Sequence, residues 1–127
     1  MATTTESRGT RITLRDDGLV HVEVLGGVDF VEADAKECLA KIDELTGARP
    51  ACHCVDIRNV KSIARGCRDI FSNGPNTLAA ALIVSSPLSR VVGNIFLGLS
   101  KARYPLRLFG DEQSALAWLH TLRAARE

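Results

Sequence analysis

The sequence predicts an α/β domain with the element order β-β-α-β-α-β-α-β-α. That order means a five-stranded mixed sheet, opened by an N-terminal hairpin and covered by four helices. Three observations carry this reading. Residues 10–25 alternate apolar and polar about a glycine turn. Later segments show apolar residues at helical spacing, each followed by a short β-prone run. Leu78 to Val84 is apolar throughout, as suits a strand buried on both faces of a parallel sheet.

The hairpin comes first. Ile12 and Leu14 alternate with Arg11, Thr13 and Arg15; Asp16-Asp17-Gly18 makes the turn; Val20, Val22 and Val24 alternate with His21 and Glu23. Gly26-Gly27 ends it. Asp29 is placed to cap the first helix, with Glu32 at capping-box spacing, and Val31, Ala35, Cys38, Leu39, Ile42 and Leu45 form its apolar stripe. Gly47 ends that helix and Pro50 prevents its return. Cys52 to Ile57 reads as the third strand. Ser62 is read as the cap of a second helix carrying Ile63, Cys67, Ile70 and Phe71, stopped by Asn73-Gly74-Pro75. After the buried strand, Ser86 is the N-cap and Pro87 the first residue of a third helix. Its stripe is Leu88, Val91, Val92, Ile95, Phe96 and Leu99. Tyr104 to Phe109 is the fifth strand, and Asp111 caps a last helix bearing Ala115, Leu116, Trp118, Leu119 and Leu122.

With 127 residues, 46% hydrophobic and 24% charged, the chain fits one domain and is not a disordered one. Residues 1–9 read as a polar N-terminal tail and 10–127 as a single domain. The polar start shows no secretory signal, and the apolar run at 78–84 is too short for a bilayer, which needs about 20 residues in a helix. A cytoplasmic setting and free thiols are expected for the four cysteines. The net charge of +1 argues against a nucleic-acid binder. That total conceals an asymmetry: residues 1–63 carry a net −3 and residues 64–127 a net +4. From Arg58 to Arg107 the single acid is Asp69. The excess reads either as a solvated basic surface or as attraction for an anionic partner.

The element order from Thr10 to Arg123, with a long helix directly after the hairpin, resembles the STAS domains of anti-sigma-factor antagonists. Val55-Asp56-Ile57-Arg58-Asn59-Val60 looks like the segment that precedes their regulatory helix. In phosphorylatable members that helix opens on Asp-Ser-Ser/Thr-Gly. Here the matching stretch is Ala64-Arg65-Gly66-Cys67, without the acceptor hydroxyl, which speaks against a phosphorylation-driven partner switch. Ser86-Pro87-Leu88-Ser89-Arg90, Tyr104-Pro105 and Asp111-Glu112 with Ala115 and Trp118-Leu119 are similar to a less characterised bacterial STAS-like group. The resemblance implies a regulatory or interaction role. The fold is shared with CRAL-TRIO lipid-binding domains, which raises a lipid or other apolar ligand at the level of the family.

Chemistry-bearing residues are sparse. In Cys52-His53-Cys54 a strand turns His53 away from both thiols, so the three cannot meet on one ion; no metal and no cofactor are expected. There is no Gly-x-Ser-x-Gly elbow, and His21, His53 and His120 fall on separate elements, so no catalytic residues are assigned. Gly93 and Gly98 before Ser100-Lys101 echo a phosphate loop, but in the wrong order and in a helical context.

The best candidate site is the start of the third helix. Ser85, Ser86 and Arg90 lie there, with Arg58, Asn59 and Lys61 from the neighbouring strand end, and a phosphate or carboxylate is the expected ligand. An ordinary helix cap with solvated basic neighbours is the competing reading. Gly93, Leu97 and Gly98 add a second apolar face to that helix, a candidate homodimer interface. The expectation is a non-catalytic regulatory or protein-interaction module acting as a homodimer. The alternative is a binder of a small anionic or amphipathic ligand, a lipid or a nucleotide, at the carboxyl edge of the sheet.

Overall fold

The computed structural model describes residues 2–99 and 103–126, without the side chains of 95–99 and 124–126. Its elements are β1 (Thr3–Ser7), β2 (Thr10–Leu14), β3 (Val20–Val24), β4 (Asp29–Phe30), α1 (Glu32–Thr46), β5 (Ala51–Asp56), β6 (Ser62–Ile63), α2 (Gly66–Ser72), β7 (Thr77–Ile83), α3 (Pro87–Leu99), β8 (Leu106–Phe109) and α4 (Glu112–Arg126). The main sheet is mixed and six-stranded, ordered β1-β2-β3-β5-β7-β8; β4 and β6 form a separate two-stranded ribbon. β1, β2 and β3 pair antiparallel, and β3, β5, β7 and β8 run parallel.

Three expectations need correction. The expected sheet had five strands, and the sixth is β1, drawn from the segment read as a polar tail. Gly9, at φ 79, allows the chain to fold back, and Thr3–Ser7 then pairs along the whole of Thr10–Leu14. Its polarity is that of an edge strand open to solvent on one face, and its threonines suit a strand. The hydroxyls of Thr4 and Thr13 meet at 3.0 Å across the pair. The second correction concerns Ser62. It does not cap a helix but sits in β6 beside Asp29 of β4, and its hydroxyl donates to Asp29 Oδ1 at 2.6 Å. The helix that follows starts at Gly66. Asp29 is accordingly not the cap of α1. Val31 occupies that position, and Asp34 three residues on accepts its N–H at 2.9 Å. Gly47 ends α1 in the left-handed region, as its position in the sequence predicts.

Side-chain alternation divides the sheet into two faces. Ile12, Val20, Val22 and Ala51 point toward α1 and α2, where Phe30, Cys38, Ile42 and Cys67 complete a core. Cys52, Cys54, Ala79, Ala81 and Ile83 point the other way, onto Ala115 and Leu119 of α4. Near the carboxyl ends of the strands, Val24, Ile57, Val60 and Val84 pack with Val92 of α3. Ala79 to Val84 are buried throughout, consistent with a strand covered on both faces.

Candidate functional site

The carboxyl edge of the sheet holds the residues expected to bind an anion. Ser86 caps α3 and is itself capped in return. Ser89, fully buried, accepts the N–H groups of Ser85 and Ser86 on its hydroxyl, both at 3.0 Å, while the Ser89 N–H donates to Ser86 Oγ at 3.0 Å. Pro87 has no N–H to offer. The amides of Ser85, Ser86 and Ser89 are therefore spent inside the turn.

The basic residues there are also engaged. Arg58 grips Asp56 from two nitrogens, Nε to Oδ1 at 3.0 Å and Nη2 to Oδ2 at 2.7 Å. Asp56 is buried, which works to raise its pKa; the hydrogen bonds from the Arg58 side chain and backbone, with the guanidinium charge, outweigh this and hold the carboxyl below its usual value. Lys61 Nζ lies 3.6 Å from Asp29 Oδ2. Asn59 and Arg90 are exposed. Of the six residues, the structure brings Ser86 and Arg58 together, by a Ser86 hydroxyl 3.5 Å from the Arg58 carbonyl.

The interface residues divide differently. Gly93 is buried and faces the sheet: a Cβ there would lie 3.0 Å from Val84 Cγ1 and 3.1 Å from Leu108 Cδ2. Its lack of a side chain lets α3 approach β7 and β8, so it does not present an outward surface. The side chains at positions 97 and 98 lie outside the described residues, so Leu97 and Gly98 are not placed on either face. The outward apolar residues of α3 are Leu88, 45% exposed, and Val91, 56% exposed, one turn apart.

Three further features bear on chemistry. His21 Nε2 is 2.8 Å from Glu112 Oε1, out of line for a hydrogen bond, and neither residue lines a cavity described here. The cysteines are buried free thiols, and burial pushes Cys38 and Cys54 up to about 12 and Cys67 to about 11. Among the described residues no group of His, Cys, Asp or Glu is arranged to hold a metal ion.

The third feature is a cavity of about 60 Å³ between the sheet and the helices of the α1–α2 side. Val22, Val55, Leu82, Phe71 and Val92 supply much of its apolar wall, and His53, Thr10 and Tyr104 also reach it. His53 is 5% exposed, in register between Val20 and Ala80 on the flanking strands. Burial pushes its imidazole down to about 4, so it is neutral at pH 7. Sequence reasoning pointed His53 away from the cysteines but did not find this cavity. Its walls come from the strands β2 to β8 and the helices α1, α2 and α3 together, and no local pattern records that meeting.

The element order, the mixed sheet and the helices on its two faces define a SpoIIAA-like fold. An uncharacterised protein of the DUF3478 family from Shewanella loihica PV-4, described as having a SpoIIAA-like fold, superposes with a TM-score of 0.59 at 16% identity, covering 94% of this chain and 92% of its own. Residues 12–123 match the profile of the domain of unknown function DUF7793, and the chain belongs to that family. A protein of unknown function from Arthrobacter sp. FB24 shares 31% identity, over 86% of this chain and 97% of its own, with a TM-score of 0.35. No curated protein matches the sequence.

Proposed function

We propose that this protein is a non-catalytic interaction module that works as a homodimer through the outward face of α3. The observation that carries the reading is the pair Leu88 and Val91, two large apolar side chains exposed one turn apart. Exposed apolar neighbours on one helix face are what a second copy would cover. Two arrangements support a role without catalysis. His53 faces hydrocarbon, and the one histidine close to the Glu112 carboxylate, His21, lines neither cavity. The alternative, a small anion at the carboxyl edge, has less support, because Arg58 and Lys61 already face Asp56 and Asp29. The thiols support a reducing, cytoplasmic setting, and among the described residues no helix is long and apolar enough to cross a membrane.

Light scattering on the full chain across a concentration series tests the reading. The expected result is a dimer that Val91→Asp converts to a monomer with an unchanged circular dichroism spectrum. A wild-type chain that stays monomeric at the highest concentration would overturn it.

A further inference from the structure

The end of the sheet opposite its carboxyl edge holds a second, open hollow of about 330 Å³, where β2 ends and β3 and β5 begin. Arg15, Arg49 and Arg123 all line it. They come from three separate stretches of chain: the β2–β3 turn, the loop between α1 and β5, and α4. Contacts hold two of the three guanidiniums against the wall. A Cβ on Gly18, a wall residue at φ 84, would lie 2.7 Å from Arg123 Nη2, so the Arg123 head rests on the glycine of that turn. Arg49 Nε donates to the carbonyl of Thr46, another wall residue, at 3.0 Å.

Like charges gathered around one hollow repel, and the protein answers only part of that repulsion. Arg15 turns one edge of its guanidinium to Asp17, with Nε and Nη2 each 3.2 Å from Oδ2. Asp16 also lines the hollow. Three guanidiniums therefore face two carboxylates, and the balance is positive. Arg49 is exposed, and no carboxylate among the described residues lies within ion-pair reach of it. The Thr46 carbonyl takes its Nε–H, which leaves both Nη groups for a ligand.

We propose that this hollow binds a small phosphomonoester, with its phosphate held by Arg15, Arg49 and Arg123. The ligand is an anion because the charges around the hollow sum to a positive one. Its acidic group is a phosphate because three guanidiniums from three segments match a tetrahedral group with three free oxygens, whereas a carboxylate offers two in one plane. It carries a compact apolar body because Leu14, Pro50 and Ala51 form another part of the wall. The space suffices, being more than twice the roughly 150 Å³ of an engineered cavity that accepts benzene. No wall residue belongs to α3, so the site stands apart from the dimer face.

The test uses the full chain labelled with nitrogen-15 and follows its amide resonances at neutral pH. Phenyl phosphate, inorganic phosphate and benzoate are added separately at constant ionic strength, since added salt would otherwise screen the site. The expected result is saturable shifts at Gly18, Thr46 and Ala51 with phenyl phosphate, at a dissociation constant of about 1 mM or tighter, and none at Ser86 and Ser89. Benzoate and inorganic phosphate should each bind at least about tenfold more weakly. Arg49→Gln should weaken phenyl phosphate at least about tenfold, and Arg65→Gln, at an exposed site elsewhere, should not. No saturation up to about 10 mM would overturn the proposal, as would shifts scattered over the basic surface or an Arg49→Gln that binds like the wild type. Benzoate binding as tightly would overturn the phosphate, and inorganic phosphate binding as tightly would overturn the ester. If Arg49→Gln does not fold, the positions of the wild-type shifts decide alone.

Discussion

At the scale of the residue, two buried titratable groups behave in opposite ways. His53 is held neutral by burial, against a weak pull from Asp43, so its folded pKa of about 4 lies below the ordinary 6.5. The unfolded chain then takes up the proton first. Stability is complete above pH 6.5 and falls as the pH drops from there toward 4, by about 3 kcal/mol at 1.36 kcal/mol per pH unit. Urea midpoints at about pH 7 and about pH 4.5 should show this fall in the wild type and a much smaller one in His53→Leu. Equal falls in the two proteins would refute it. Asp56 has a lowered pKa, so its contribution is present above the ordinary carboxylate value and is lost only as the pH falls through the folded value. Removing its partner strands a buried carboxylate: Arg58→Ala should cost about 2 kcal/mol in denaturant unfolding. Arg90→Ala, at an exposed site, should leave the midpoint where it was.

The scale of the element is where the start of α3 belongs. Ser86 was legible as an N-cap from Ser-Pro alone, because proline is favoured at the first helical position and serine at the position before it. Ser89 was not, since a serine at the third helical position announces nothing unless its hydroxyl turns back. Here it does, and it accepts two amides. Ser89→Ala should therefore destabilise the protein by about 2 kcal/mol, read as a lower urea midpoint. A silent Ser89→Ala would mean that those amides find other acceptors. Ser62 shows the opposite case. Its identity suits a cap or a strand equally, and Asp29, 33 positions earlier, decides by accepting its hydroxyl.

For the whole molecule, folding engages two cations of the basic stretch from Arg58 to Arg107. Lys61 lies against Asp29 and Arg58 lies against Asp56. An excess that reads as available for a partner in one dimension is partly internal in three. The same scale governs β1. It closes one edge of the sheet, and Arg8 beyond it reaches the buried carboxylate of Asp34 in α1. A chain beginning at Thr10 should melt at a lower temperature and associate as concentration rises, because the bare edge of β2 would pair with another copy. Thermal melts and light scattering would show both effects; a shortened chain that melts and scatters like the full one would return residues 1–9 to the status of a tail.

The sequence by itself determined the α/β order, the hairpin at residues 10–25, the buried strand at 78–84, the Gly47 stop and the opposed faces of His53 and the cysteines. All of these rest on periodicity, caps and turns, which act between residues a few positions apart. Tertiary structure decided the rest. Thr3–Ser7 became a strand because β2 offered an edge, and Gly93 became a contact with Val84 and Leu108 because α3 settles on β7 and β8. Arg58 acquired a partner two residues away because the turn after β5 folds it back onto Asp56, whose Oδ1 also accepts the Arg58 N–H at 3.0 Å. The cavity at His53 exists because ten elements meet around it without filling the space. Packing is a property of that meeting, and no local stretch of sequence contains it.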